Sequence, residues 1–293
     1  MATKRKVVEK RPAGGGFDVA EFEGEVGKDP DAALLELCQA PRLGAAAEAL
    51  FASGIKAAVE AGANPNSRIK APAGGWRGIP VALLAHRGRW QSLKAILKLG
   101  ANPDAGSSIC DHAYARAAEN AAPSRVGAED ALRCLDVLVD AGCDPNLPMR
   151  SGCLPLTTAL ANEQVELAGK LLAAGADPNG VDPVFGSPLT TIFSLRWAWA
   201  ASEKRALDAL RAAGADPARA KAPSVEAWDP PKGARGLEGG ELLGALLAAG
   251  RTVDKAWRSE CRAWLAAEAQ RAEVAEAANA GKPVSADKRR PGL

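Results

Sequence analysis

The sequence has few aromatic residues and histidines, and neither charge predominates. Its 293 residues include five Phe, one Tyr and two His, and 37 basic residues nearly balance 35 acidic ones. A near-neutral chain has no global electrostatic attraction to nucleic acid or to anionic lipid. β-Sandwiches normally use more aromatic and β-branched residues than this. We therefore expect a core built mostly from alanine and leucine, which suits closely packed helices.

Long apolar segments and closely spaced cysteines are also missing. No stretch of about 18 uncharged apolar residues occurs, so we expect no membrane-spanning helix. The basic segment from Lys4 to Arg11 is followed by proline and glycine, which is not typical of a secretory signal. The six cysteines are scattered without C-x-x-C spacing. This pattern favours reduced thiols and a cytoplasmic protein, although delivery into a host cell stays open.

A short phrase recurs along the chain. It joins a glycine to a following Asn-Pro or Asp-Pro, and its copies begin at residues 61, 99, 141, 174 and 213, with a decayed copy at 249–254. Glycine commonly ends a helix in the left-handed conformation, and the residue before a proline is driven into an extended one. Each copy therefore predicts the end of a helix followed by a reversal of the chain.

The residues upstream of each glycine share an apolar helical pattern. Positions seven, four and three residues before the glycine are apolar in every copy, with Arg211 as the exception. Spacings of three and four place these residues on one helix face. The pattern predicts a buried stripe formed by Ile55 and Ala58, Leu93 and Ile96, Leu135 and Leu138, Ala168 and Leu171, Leu207 and Leu210, and Leu243 and Leu246.

Each of these helices has a shorter predicted partner upstream. The partners open with Ile-Pro-Val-Ala at 79–82, Leu-Pro-Leu-Thr at 154–157 and Ser-Pro-Leu-Thr at 187–190. Proline is compatible with the first turn of a helix. These openings and the closing Gly-Ala-Asp-Pro-Asn phrase resemble the ankyrin repeat over roughly residues 30–250. The resemblance implies an all-α fold, an α-solenoid of about six ankyrin-like helix-turn-helix repeats with N- and C-terminal capping helices.

The sequence departs from the family where its opening motif carries a histidine. Ala82, Thr157 and Thr190 stand at that position, so we expect the usual hydrogen bonds between adjacent turns to be lost. Gly- and Pro-rich insertions follow Asn66 and Ala218, and the second insertion is expected to replace most of a first helix. We predict four segments, which are a disordered basic tail at 1–28, the ankyrin repeat array at 29–251, a C-terminal capping helix at 252–281 and a disordered basic tail at 282–293.

Patterns that indicate catalysis or metal binding are weak. Neither G-x-S-x-G nor a phosphate-binding loop is present. The residues Cys110, His112, Cys134, Cys143 and Cys153 lie in consecutive repeats, but only the first two have the close spacing of zinc ligands. The alternative interpretation is that the thiols are small buried residues that replace alanine. We therefore expect no enzymatic activity, no metal and no cofactor.

Tryptophan and basic residues in the inserted loops indicate a binding surface, because these residue types anchor protein interfaces. In the ankyrin family, partners usually bind across the finger loops and the inner helices. The resemblance therefore implies a protein-binding site that contains Arg68, Lys70, Trp76, Arg77, Met149, Arg150 and Trp228. The alternative is that each tryptophan only fills its own loop.

The expected function is a non-enzymatic interaction module that is monomeric before it binds a partner protein. The alternative is a dedicated inhibitor of one target, such as an immunity, antitoxin, counter-defence or host-directed effector protein. That alternative is based on the Ala-, Gly-, Arg- and Pro-rich composition, which is typical of a GC-rich bacterium or phage. Nucleic acid is an unlikely partner because no aromatic residues interleave the basic tails.

Overall fold

The structure, a computed structural model, describes residues 29–39, 45–67, 79–104, 128–148, 152–194, 200–225, 228–249 and 255–279. Within these ranges the chain is mostly helical and contains no strand, and one isolated bridge pairs Asp182 with Gly186. The predicted all-α class is confirmed for this part of the chain. The predicted disordered tails lie outside the described residues. None of the described helices combines the length and apolar character needed to cross a bilayer.

The helices are numbered in chain order. They are α1 (Pro30–Gln39), α2 (Ala45–Glu60), α3 (Pro80–His86), α4 (Trp90–Lys98), α5 (Ala128–Asp140), α6 (Pro155–Ala161), α7 (Val165–Ala173), α8 (Pro188–Ser194), α9 (Ala200–Ala212), α10 (Gly239–Ala248) and α11 (Lys255–Asn279). A short 3-10 turn, Pro217–Arg219, lies between α9 and α10.

Glycine ends the helices as the phrase predicts. The φ angles are positive, between 78° and 108°, at Gly62, Gly100, Gly142, Gly175 and Gly214. The residue after each glycine donates its backbone N–H to the carbonyl five residues earlier, as Ala176 does to Leu171 at 2.9 Å. This arrangement satisfies the last carbonyls of the helix and needs a left-handed residue, which is why glycine stands there.

The predicted apolar stripe is buried. Residues seven and four positions before each glycine are all buried, from Ile55 and Ala58 in α2 to Leu243 and Leu246 in α10. They belong to one continuous core that extends from α1 to α11. Removal of apolar surface from water contributes roughly 25 cal/mol per Å². The stripe therefore explains why each of these helices packs against its neighbours.

The helices contact one another in pairs and in two rows. Short first helices pack on the second helices that follow them, as in α1–α2, α3–α4, α6–α7 and α8–α9. First helices also contact one another (α1–α3, α6–α8), and so do second helices (α2–α4, α4–α5, α7–α9). The second helices are further joined by an ion pair between Lys170 and Asp136 and by Arg133, which lies 5.6 Å from the ring centroid of Trp90.

The C-terminal end differs from the sequence prediction. The phrase at 249–254 places α10 among the second helices, but α10 contacts the first helix α8 and also packs on α11. Helix α11 in turn reaches the second helix α9, where Lys204 pairs with Glu260 and lies 5.4 Å from the ring centroid of Trp257. Helices α10 and α11 thus occupy the places of a first and a second helix. The insertion after Ala218 enlarges a loop and does not replace a helix.

Candidate protein-binding surface

Each recurring phrase forms a turn that is closed by its own Asn or Asp side chain. The side-chain oxygen accepts a hydrogen bond from the backbone N–H two residues further on. The Asn64 side chain accepts the N–H of Asn66 at 2.9 Å, and the Asp177 side chain accepts that of Asn179 at 2.8 Å. The copies at Asn102, Asp144 and Asp216 make the same bond. Asn and Asp favour this turn through their short polar side chains. The turn is therefore encoded locally.

In the first four phrases, the last side chain joins its turn to the next one. Asn179 accepts the backbone N–H of Asp216 at 2.7 Å and donates its amide to the carbonyl of Gly214 at 3.2 Å. Asn66 and Asn146 make both bonds with the phrases that follow them. Asp31 starts the series by accepting the N–H of Asn64 at 2.9 Å. We call this series, Asp31, Asn66, Asp104, Asn146 and Asn179, the asparagine ladder.

One rung of the asparagine ladder uses a different pair of residues. Asp104 has no amide to donate, and it accepts the backbone N–H of Asp144 at 3.2 Å. The thiol of Cys143, which stands where the other copies have alanine, donates to the same carboxylate at 3.0 Å. An Asp–Cys pair thus replaces the Asn–Ala pair of the rungs at Asn66, Asn146 and Asn179. The interpretation of Cys143 as a mere replacement for alanine is therefore incomplete.

Asp182 organises the loop between α7 and α8. Its buried carboxylate accepts the backbone N–H of Leu154 and the hydroxyl of Thr157, both at 2.6 Å. The same carboxylate accepts the N–H groups of Val184 and Phe185 at 2.7 and 2.9 Å. The expected loss of hydrogen bonds at the histidine position is therefore wrong at Thr157, because this hydroxyl reaches the following loop.

A second loop lies against this one, after α9. The backbone N–H of Ser187 donates to Lys221 at 2.9 Å, and those of Ser224 and Val225 donate to Pro183 at 2.9 and 3.2 Å. Gly186 permits this approach, because a Cβ there would lie 2.4 Å from the carbonyl oxygen of Lys221. We call residues 180–187 and 219–238, without 226–227, which lie outside the described residues, the finger pair.

The finger pair presents apolar and basic side chains. Val181 is 52% exposed, and Val184, Phe185 and Val225 are half-buried. Three exposed basic residues of the second loop, Arg219, Lys232 and Arg235, form no ion pair with another described residue, whereas Lys221 pairs with Glu238 at 2.6 Å. Fixed backbone, apolar surface and free guanidinium or ammonium groups are features of protein-binding surfaces.

The finger pair contains one of the predicted binding residues. Trp228 is half-buried, packs against the core and donates its backbone N–H to Val225 at 3.1 Å. Part of the Trp228 side chain therefore packs within its own loop, and part of it is accessible to solvent. The other predicted residues, Arg68, Lys70, Trp76, Arg77, Met149 and Arg150, lie outside the described residues. Their role stays a prediction.

A separate groove of about 630 Å³ lies between α9 and α11. Its lining includes Trp264, and its charged groups largely satisfy one another. Arg271 donates to Glu268 at 2.7 Å, and Arg211 lies 3.7 Å from Asp208. The groove therefore offers fewer unpaired groups to a ligand than the finger pair does.

Two buried thiols, in α1 and α11, lie outside the finger pair. Burial raises the pKa of the Cys38 thiol to about 12, and burial raises that of the Cys261 thiol to about 12 as well. Both sulfurs are therefore protonated at neutral pH and are poor nucleophiles. The described residues contain no group of three or more His, Cys, Asp or Glu arranged to hold a metal ion. Cys110 and His112 lie outside those residues.

No family model matches this sequence, and a search of curated proteins found no match. The resemblance to ankyrin repeats therefore depends on the repeated phrase and on the turns and helix contacts that it forms.

Proposed function

We propose that the protein is an ankyrin-like solenoid that binds another protein through its finger loops and inner helices. The observation that supports this most strongly is the asparagine ladder. Its rungs fix each turn relative to the next, as when Asn146 accepts the N–H of Asp177 at 2.7 Å. Loops that are ordered before binding lose less conformational entropy on association. Such a surface suits recognition of a folded partner.

The pattern of helix contacts supports the solenoid part of the proposal. Successive helix pairs pack side by side, first helix on first helix and second on second, in α1–α4 and again in α6–α9. Stacked repeats bury a continuous core in this way while each repeat contacts only its neighbours. A chain of this kind presents an extended surface along one edge, which a protein partner can follow.

The finger pair supplies the part of this surface that the structure describes. Its two loops are joined by backbone hydrogen bonds at Ser187, Ser224 and Val225, and their apolar side chains remain accessible. Because the insertion after Ala218 adds length to a loop and not to a helix, it enlarges the accessible surface. This enlargement is expected to determine which partner binds.

The experiment is capture of partners from host lysate with the intact chain, followed by measurement of affinity for each purified partner. The double variant Phe185→Ala/Trp228→Ala should lose most of the affinity, whereas Val274→Ala, an exposed apolar truncation on α11, should keep it. Circular dichroism and the unfolding midpoint of each variant show whether the fold is kept. A single very tight partner would favour the dedicated inhibitor.

The double variant Trp76→Ala/Arg77→Ala tests the predicted site in the first insertion in the same assay. If neither double variant changes the affinity, the finger loops are not the binding surface. If no purified protein binds and the chain instead binds nucleic acid with a steep salt dependence, the proposal fails altogether.

A further inference from the structure

A buried carboxylate lies beneath the C-terminal helix. Glu203, in the first turn of α9, is 3% exposed, and its Oε1 atom has no hydrogen-bond partner among the described residues. The groups that stabilise its ionised form both come from α11: the indole of Trp257 and the guanidinium of Arg258. A buried carboxylate with so few partners disfavours ionisation. Helix α11 covers this carboxylate, so its docking and the charge of Glu203 affect each other.

The other charged groups near Glu203 do not neutralise it. On α11, Glu260 pairs with Lys204, and Cys261 is a protonated thiol; on α9, Arg211 lies 3.7 Å from Asp208. Helix α8 has no charged residue, and α10 has only Glu241, which is exposed. On α7, Glu166 is exposed and Lys170 pairs with Asp136. Among the described residues, Arg258 is therefore the cation whose attraction for Glu203 is resolved.

The attachment of α11 is confined to its first half. Trp257, Cys261, Trp264 and Leu265 are buried, whereas most residues from 266 to 279 are exposed. The helix is therefore held by one short apolar stripe, and Glu203 lies directly against that stripe. A change in the charge of one carboxylate is a large perturbation for so small an attachment.

We propose that protonation of Glu203 strengthens the docking of α11 onto α9, so that α11 is a pH-sensitive latch at the C-terminal end of the array. When the latch opens, Trp257 and Trp264 leave the core and the covered face of α9 becomes accessible. The proposal does not require that a partner binds at the finger pair.

The direction of the pH effect follows from burial. Burial raises the pKa of Glu203 when α11 is docked, whereas an undocked carboxyl titrates near the ordinary value of about 4.3. The docked state therefore binds the proton more tightly. Docking is strongest below the ordinary pKa and weakens as pH rises through the raised, docked-state pKa. Because a single proton is involved, the equilibrium constant for docking changes by at most about tenfold per pH unit.

Hydrogen exchange of the full chain between about pH 4 and pH 8, corrected for the intrinsic pH dependence of exchange, tests the proposal. Protection of the α11 amides from Trp257 to Leu265 should fall with rising pH in the natural chain. Glu203→Gln should hold that protection at its low-pH level. Glu273→Gln, which neutralises an exposed carboxylate in the second half of α11, is the matched control and should follow the natural chain.

The amides of α4 serve as the internal reference, because they lie at the far end of the array. If their protection falls in parallel with that of α11, the whole fold responds to pH and the latch is wrong. Equal pH dependence in Glu203→Gln and the natural chain would also overturn it. If the variant folds poorly, alkylation of Cys261 in the natural chain gives a second measurement, since its rate relative to Cys38 must rise as the latch opens.

Discussion

The two ends of the structure both bury a carboxylate near the start of a second helix, and they partner it differently. At the N-terminal end, Glu48 of α2 receives Arg89 at 2.6 Å and the hydroxyl of Ser92 at 2.9 Å. At the C-terminal end, Glu203 of α9 has an oxygen that accepts no hydrogen bond from any described residue. We therefore expect the fully partnered Glu48 to fix the packing of its helices, whereas the packing of α11 over Glu203 can change with the charge of that carboxylate.

The N-terminal network joins three helices. The side chain of Arg89, which precedes α4, is fully buried, and besides Glu48 it donates to the carbonyl of Leu37 in α1 at 2.5 Å. Its guanidinium also lies 4.4 Å from the ring centroid of Phe51. Because every charged group in this network is satisfied, removal of one member leaves the others unpaired in a buried place. We therefore expect the first two helix pairs to open as one unit.

The largest expected effect is loss of this network. Arg89→Met leaves Glu48 buried without its cation, and loss of one partner of a buried pair costs about 3–5 kcal/mol. Urea unfolding of the variant should show this loss in the free energy of unfolding. The double variant Arg89→Met/Glu48→Leu should recover most of it, because apolar residues of similar volume can replace a buried ion pair. A loss below about 1 kcal/mol in the single variant would remove the distinction between the two ends.

In the asparagine ladder the C-terminal end has the stronger expected contribution to stability, because the more buried rung lies there. Asn179 is 8% exposed, whereas Asn66 is half-buried, although both make the same two bonds. Asn179→Ala leaves the N–H of Asp216 and the carbonyl of Gly214 without their protein partner, and each lost hydrogen bond costs about 0.5–1.5 kcal/mol. Asn66→Ala should cost less, because water replaces its bonds. Equal losses in thermal unfolding would show that burial does not set the strength of a rung.

The rung at Asp104 provides a matched variant of this prediction. Cys143→Ala removes the thiol donor from Asp104, and the further change Asp104→Asn recreates the Asn–Ala pair of the rungs at Asn66, Asn146 and Asn179. The double variant should therefore regain the stability that the single variant loses, about 0.5–1.5 kcal/mol for one hydrogen bond. A double variant no more stable than Cys143→Ala would mean that the thiol contributes by packing alone.

The parts of the fold that the sequence predicts are those that local residues determine. The apolar stripe, the glycine at each helix end and the turn that follows it all lie within about ten residues, and spacing alone reveals them. The Arg89–Glu48 pair joins residues 41 positions apart, and Arg89 has no local feature that distinguishes it from a surface arginine. The decayed phrase at 249–254 follows the regular interval of the repeat, and it therefore predicts α10 as a second helix. That prediction is wrong, because α10 contacts the first helix α8.

The candidate site shows the same division. Asx turns are predictable from Asn-Pro and Asp-Pro, whereas the bonds that join residues 180–187 to the loop after Ala218 depend on two loops meeting in space. The sequence singles out Trp228 because tryptophan in a Gly- and Pro-rich loop is unusual, and its role in binding stays a prediction. Asp182 was missed, since a lone aspartate in a loop gives no signal of its burial or of the hydrogen bonds it accepts.

The smallest expected effect is kinetic, and it compares the two ends directly. Cys38 packs near the Arg89 network and Cys261 near Glu203, and burial raises the pKa of each thiol to about 12. Iodoacetamide at about pH 8 can therefore modify either thiol only after local opening, when the pKa returns to its ordinary value of about 8.5. Peptide mass spectrometry should show Cys261 modified before Cys38, because α11 is attached more weakly than α1.

Arg89→Met should reverse that order by opening the N-terminal end, whereas Arg262→Met, a change at an exposed arginine of α11, should leave it unchanged. If Cys38 reacts first in the natural chain, the N-terminal end opens more readily, and the buried ion pair does not give it the greater local stability.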